Sequence, residues 1–271
     1  MNENLFQKAT LAHSQNNLKE AEDLYLKLLN KNSENHQVHF LLGTLYLQKK
    51  LPEKALSHLK KSEHDDKDNP HLLMNLGLAY KQAGDMSLSE VYLKKSLSID
   101  PKNADSLNNL GSLQLSKKNY IDAEFNFRKA LEIKPNEGAF LINLSECLFI
   151  LGVKDEPINL LLKIQRGSDF YQDAQTKLFN IFYETKNYRQ CIIIVENLKK
   201  LNSTEYCVLA QHNLGIIKFK QRLFDEAIDH FENALKKDKN FGEAKMTLGL
   251  CQLSQYQFKS GWDNFLTYQD S

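Results

Sequence analysis

Residues 104–137 read ADSLNNLGSLQLSKKNYIDAEFNFRKALEIKPNE, and the placing of the small residues in this stretch decides the fold. Gly111 stands twelve positions before Ala123. Along the chain the second small position returns at Ala21, Ala55, Ser89, Ala123, Pro157, Cys191, Ala227 and Gly261. Six of those seven steps are 34 residues long, and the step from Cys191 to Ala227 carries two extra residues. The first small position returns in phase at Ala9, Gly43, Gly77, Gly111, Ser145, Phe179, Gly215 and Gly249. A fixed period of this length is the mark of a repeat architecture. Small residues on facing sides of two antiparallel helices let the ridges of one enter the grooves of the other.

Apolar residues around these points recur at helical spacing. Leu73, Leu76 and Tyr80 form one face, and Leu88, Tyr92, Leu93 and Leu97 form the next, which predicts two amphipathic helices per unit. Asp100-Pro101-Lys102-Asn103 and Lys134-Pro135-Asn136 end the second helices, because proline cannot continue a helix and disfavours helical geometry in the residue before it. Ala83-Gly84-Asp85 and Lys118-Asn119 mark the turn inside a unit. The expected fold is all-α, a right-handed α–α superhelix of about eight helix-turn-helix repeats forming one solenoid over residues 1–271. The repeat bounds are about 2–35, 36–69, 70–103, 104–137, 138–171, 172–205, 208–241 and 242–271.

Composition narrows the function. Thirty-five lysine and arginine residues face 34 aspartate and glutamate residues, so no net field draws in nucleic acid or an anionic membrane. The cysteines, Cys147, Cys191, Cys207 and Cys251, are scattered without a C-x-x-C pair and read as reduced, buried small residues. The opening MNENLFQKATLAHSQ has neither a basic leader nor an apolar run, and the longest apolar stretch is Cys191 to Val195, far short of a membrane span. A cytoplasmic location is expected by default. His36 and His39 lack a third ligand for zinc. The acid-rich run from Glu63 to Asp68 lacks the spacing and glycine of a calcium loop. No phosphate loop or nucleophile elbow occurs, so no catalytic residue, metal or cofactor is expected.

The residues Leu107, Leu110, Gly111, Ala123, Phe127, Ala130 and Pro135 resemble the pattern of the tetratricopeptide repeat family, and Leu73, Leu76, Gly77, Tyr80 and Pro101 do nearly as well. The fifth and sixth repeats are degenerate, with Pro157 and Phe179 where the family has small residues. Asp155 is expected to cap the helix that carries Pro157, and Phe179 to widen its pair. The resemblance implies a protein-binding solenoid whose first helices line a concave groove.

Asn75, Asn109, Asn143 and Asn213 each precede the Leu-Gly position and form a candidate ladder on that inner face. An amide offers both a donor and an acceptor to the backbone of an extended peptide. The stretch Asp105 to Gly111 is similar to the tetratricopeptide region of O-linked N-acetylglucosamine transferase, whose asparagine ladder holds substrate proteins. Gln7, Leu41, Lys177 and Thr247 occupy the equivalent place elsewhere, and asparagine here can also serve local structure alone. Further inner-face candidates are Met74, Asn108, Ser112, Ile142, Glu146 and His212. Chaperone-binding members clamp a terminal carboxylate with basic residues, but Phe6, Thr10, Leu41, His71 and Asn75 stand at the corresponding positions, which argues against that activity.

At the other end, Phe258, Trp262, Phe265 and Leu266 form an apolar stripe on the last helix, expected to mediate self-association as a homodimer or to be covered by further chain. Gln257-Phe258-Lys259-Ser260-Gly261-Trp262 resembles the end motif of bacterial tetratricopeptide proteins that lead into a glycosyltransferase domain, and Leu18 to Tyr25 resembles their first repeat. The function expected is a scaffold holding an extended peptide or helix of another protein. The alternative is the substrate-binding region of a larger glycosyltransferase.

Overall fold

In a computed structural model, the chain is described over residues 2–199 and 204–266. Among these residues there are sixteen α-helices and no strand. They form two compact units, Met1–Leu160 and Leu161–Ser271. The division falls in the fifth repeat, one of the two whose register residues depart from the pattern.

In the first unit the pairs are α1 (Asn2–Ser14) with α2 (Leu18–Lys31), α3 (His36–Gln48) with α4 (Pro52–Glu63), α5 (Pro70–Gln82) with α6 (Met86–Ile99), and α7 (Ala104–Ser116) with α8 (Tyr120–Ile133). Helix α9 (Gly138–Ile150) follows, and α10 (Asp155–Leu162) straddles the division. The second unit pairs α11 (Tyr171–Glu184) with α12 (Tyr188–Lys199), α13 (Thr204–Lys220) with α14 (Phe224–Lys237), and α15 (Gly242–Ser254) with α16 (Phe258–Leu266).

All sixteen register residues are buried, and the reason is a fit between a hole and a knob. A Cβ built on Gly43, Gly77, Gly111 or Gly215 would lie 2.5–2.8 Å from the side chain of Leu59, Leu93, Phe127 or Phe231 respectively. Those large residues recur with the same period and are fully buried. Each contributes roughly 1.5–3 kcal/mol of burial. At Ser145 a hydrogen bond takes the place of a close apolar fit: its Oγ donates to the Pro157 carbonyl at 3.1 Å. Ser89 has no such partner and its hydroxyl is buried unsatisfied.

Helix α10 begins at Asp155, which is therefore the first helical residue and not the cap; Pro157 still lies in the first turn, where its missing N–H removes no bond. Phe179 stacks along its own helix on Tyr183. Phe179 is buried, and the Cys191 thiol lies 3.8 Å from its carbonyl across the pair. The two extra residues of the seventh repeat fall between Cys191 and Gly215, which are 24 positions apart against 22 from Ala123 to Ser145, and α13 starts four residues ahead of the position that opens α15 and α7 in register. Cys147, Cys191 and Cys251 are free and buried, and burial raises each thiol pKa. The side chain of Cys207 lies outside the described residues.

Each first helix ends in the same way. Asn16, Lys50, Gly84, Lys118, Gly152, Lys186, Arg222 and Tyr256 all have positive φ. The residue after each returns an N–H to a carbonyl five positions back at 2.7–3.0 Å, as in Asn119 to Gln114. This is a Schellman cap, used once per repeat. Six of the eight positions hold a residue with a Cβ, which costs about 1 kcal/mol in the left-handed region. Lys118→Gly is therefore expected to raise stability by about 0.5–1 kcal/mol after the entropy of the unfolded glycine is counted. Denaturant unfolding of the variant checks this, and a loss of stability would refute it. Three first helices also begin alike: Asn35, Asn69 and Asn103 accept backbone N–H bonds at the N-termini of α3, α5 and α7.

Candidate functional site: the inner face of the first helices

In the first unit α3 approaches α5, α5 approaches α7, and α7 approaches α9, whereas second helices of successive pairs show no comparable approach among the described residues. First helices therefore line the inner side. Polar side chains bridge them at each step. His13 Nε2 meets Gln48 Oε1 at 3.2 Å, and Asn75 Nδ2 donates to Thr44 Oγ1 at 3.0 Å. Lys81 Nζ donates to Ser112 Oγ at 2.6 Å, and Asn143 Nδ2 donates to Asn108 Oδ1 at 2.9 Å. At the α1–α3 end lies an open cleft of about 640 Å³ among Thr10, His13, Tyr25, Leu41 and Gln48. Burial lowers the His13 pKa there.

The asparagines of the ladder do not share one environment. Asn75 is 6% exposed and Asn213 5%, while Asn109 and Asn143 are half-buried. Asn75 and Asn143 each commit one N–H to the neighbouring first helix. Asn109 has no hydrogen-bond partner among the described residues, so its whole amide is free to act. Met74, Ser112 and Glu146 are half-buried beside it in register, and Asn108 and Ile142 are buried. In the second unit His212 is an interior residue, 7% exposed, between the rings of Phe231 and Phe241 at centroid distances of 5.7 and 5.1 Å.

Lys81 did not stand out from the Leu-Gly motif, but a column of the repeat exposes it. The equivalent positions hold His13, Leu47, Leu115, Phe149, Tyr183, Phe219 and Leu253. Lysine breaks an otherwise apolar and aromatic file.

His36 and His39 face different partners. His39 Nε2 lies 2.9 Å from the Ser33 carbonyl and must donate to it, so its Nδ1 accepts from His58 Nδ1 at 2.8 Å. Burial, with Coulombic contributions from His39, Lys61 and Lys54, holds the His58 pKa down to about 4. His36 contacts the Lys61 carbonyl and Asp65. Among the described residues no group of three or more His, Cys, Asp or Glu could hold a metal ion, and no helix is long and apolar enough to cross a membrane. On α16, Phe258, Trp262 and Leu266 are exposed, while Phe265 packs against the backbone at Gly249.

Stacked antiparallel helix pairs with a polar-bridged inner face define the class of helical repeat proteins. Three family profiles, each described as tetratricopeptide repeat, match residues 6–70 with 212–258, residues 70–103 and residues 92–125. The chain thus carries tetratricopeptide repeats and has their fold. A tetratricopeptide repeat protein from Parabacteroides merdae is 18% identical, with 93% of this chain and 98% of that one aligned at a TM-score of 0.66. The Cut9–Hcn1 hetero-tetramer of the APC/C gives 15% identity and a TM-score of 0.66 over 97% of this chain and 52% of the other. The pilF structure from Pseudomonas aeruginosa gives 17% identity and 0.60 over 76% and 94%. At these identities the likeness concerns the fold alone. Among proteins with curated descriptions, none matches.

Proposed function

We propose that the chain is a protein-interaction scaffold that holds an extended peptide or helix of a partner along the first helices. Asn109 and Asn143 act in the first unit beside Asn75, and Asn213 serves the equivalent place in the second. The observation that carries this is the half-buried amide of Asn109, without a partner among the described residues on a face where Asn75, Lys81, Ser112, Asn108 and Asn143 bridge neighbouring helices. An amide so placed satisfies one carbonyl and one N–H of a passing backbone, which makes binding tolerant of peptide sequence. That a chain of like fold is part of the Cut9–Hcn1 hetero-tetramer supports a protein partner.

The test begins with affinity capture from the native host and mass spectrometry. Binding of the recovered partner is then measured by calorimetry to the Asn109→Ala, Asn143→Ala double variant. Loss of two amide contacts should weaken affinity about tenfold or more. Unchanged affinity in a double variant that keeps its helical signal removes the groove reading.

A second reading rests on α16, whose Phe258, Trp262 and Leu266 are each at least half exposed. Side by side in a second copy they would form a homodimer contact, which concentration-dependent sedimentation tests. A native reading frame that runs on into an α/β catalytic domain would instead make the groove a substrate-holding part of a glycosyltransferase, as the residues Gln257 to Trp262 suggest.

A further inference from the structure

Of the lysines and arginines in the first unit, three are half-buried: Lys49, Lys81 and Arg128. Lys49 sits on Glu22, and Arg128 on Glu124 and Glu156. Among the described residues Lys81 has the Ser112 hydroxyl alone, 2.6 Å away. Desolvation lowers its pKa, and no carboxylate among the described residues offsets that. A desolvated ammonium held by a neutral group is short of an anion, because burying charge is unfavourable unless it is paired. The accompanying hydroxyl is well arranged for one. Ser112 Oγ accepts from Lys81, so its own O–H remains to donate, and no other acceptor engages it among the described residues. Two donors therefore converge on one point of the inner face, with the free amide of Asn109 on the same helix α7, three residues before Ser112.

We propose that Lys81 and Ser112 receive the carboxylate of an aspartate or glutamate inside the bound partner segment, so the groove of the first unit selects an acidic peptide. This rests on the groove reading and gives it a specificity. A side-chain carboxylate is favoured over a terminal one because the face continues on both sides of Lys81, with Asn75 and Thr44 toward α3 and Asn143 toward α9. Met74 and Leu78, half-buried on the same helix α5, place apolar surface beside the charge. The segment recognised is an acidic residue set between apolar ones. The pair is distinct from a terminal-carboxylate clamp, whose positions hold no lysine or arginine here.

The experiment pans a random dodecapeptide display library on the wild-type chain, on Lys81→Gln and on the Asn109→Ala, Asn143→Ala double variant. Wild type should enrich peptides with an internal Asp or Glu, and synthesised binders should lose at least tenfold in affinity on Lys81→Gln. Replacing their acidic residue by its amide should cost the same, without further loss in Lys81→Gln. Thermal unfolding supplies a second readout: Lys81→Met, free of ligand, should unfold at the same or a higher temperature than wild type. Binders without acidic preference, binders indifferent to Lys81→Gln, a requirement for a free C-terminus, or a destabilised Lys81→Met would each overturn the assignment of Lys81. A library yielding no peptide sensitive to the double variant would overturn the groove reading and this inference with it.

Discussion

In Gly249→Ala, helix α16 is expected to leave α15 while the rest of the second unit stays folded. At each of the other register glycines the nearest atom belongs to a leucine or phenylalanine side chain, which can shift at modest cost, and backbone atoms lie no nearer than 3.0 Å. A Cβ on Gly249 would instead lie 2.7 Å from the Gly261 carbonyl oxygen and 2.7 Å from the Phe265 backbone N. Neither can move without moving the helix. Overpacking of this kind costs about 3 kcal/mol at the upper end of its usual range. Helix α16 has little to set against that, because α15 is its one close neighbour among the described helices and its other apolar residues face solvent. The chain has a single tryptophan, Trp262, and it lies on this helix in edge contact with Phe265. Hydrogen exchange over residues 258–266 and Trp262 fluorescence together report the change. Gly167→Ala is the control, since nothing lies within 4 Å of its built Cβ. Native-like protection of α16 in Gly249→Ala would show that the two backbones do not approach as closely as described.

Acid should weaken the second unit through His212 before any carboxylate of ordinary pKa titrates. The imidazole is 7% exposed, its Nε2 has no partner, and burial lowers its pKa to about 4, against a smaller opposing pull from Glu243. In the unfolded chain the pKa is about 6.5. Above that value neither state carries the proton, and His212 makes no difference between them. As pH falls below it, the unfolded chain binds a proton that the folded chain refuses, so stability falls and the loss levels off only below the folded value. The full span corresponds to about 3 kcal/mol. Between pH 6.5 and 4.5 the loss is separable from that of Glu22 and Glu90, whose lysine partners hold their carboxyls below the usual range. Chemical denaturation across this window should show a steep slope in wild type and a shallower one in His212→Leu. Equal slopes would mean that the imidazole reaches water in the folded state.

How much of this was readable in the letters depends on the range of the interaction. Register residues such as Gly111 and Ala123 act within one pair, at fixed separation, and therefore leave a period in the sequence. The ladder acts between repeats. Asn75 bonds Thr44 and Asn143 bonds Asn108, 31 and 35 positions apart, and asparagine at the same motif position, Asn109, has no partner among the described residues. One letter thus stands for two states, which side-chain packing on the neighbouring helix decides. Lys81 was legible in principle, because it interrupts the file running from Leu47 to Leu253, but only an alignment of columns brings it out. His212 went the other way: its position suggests a lining residue, and the aromatic rings of Phe231 and Phe241, supplied by α14 and the following connection, enclose it.

The recurrent Schellman cap also says where the chain tolerates surgery. The link inside a repeat is three residues in seven cases and four in the eighth, with a left-handed residue at a fixed place. The links between repeats range more widely, from four residues at 100–103 and 134–137 to six at 64–69 and eight at 163–170. Epitope tags, cleavage sites or new termini made by permutation belong in links such as residues 64–69, whereas a single residue added at 117–119 would rotate every side chain of α8 by about 100° relative to α7.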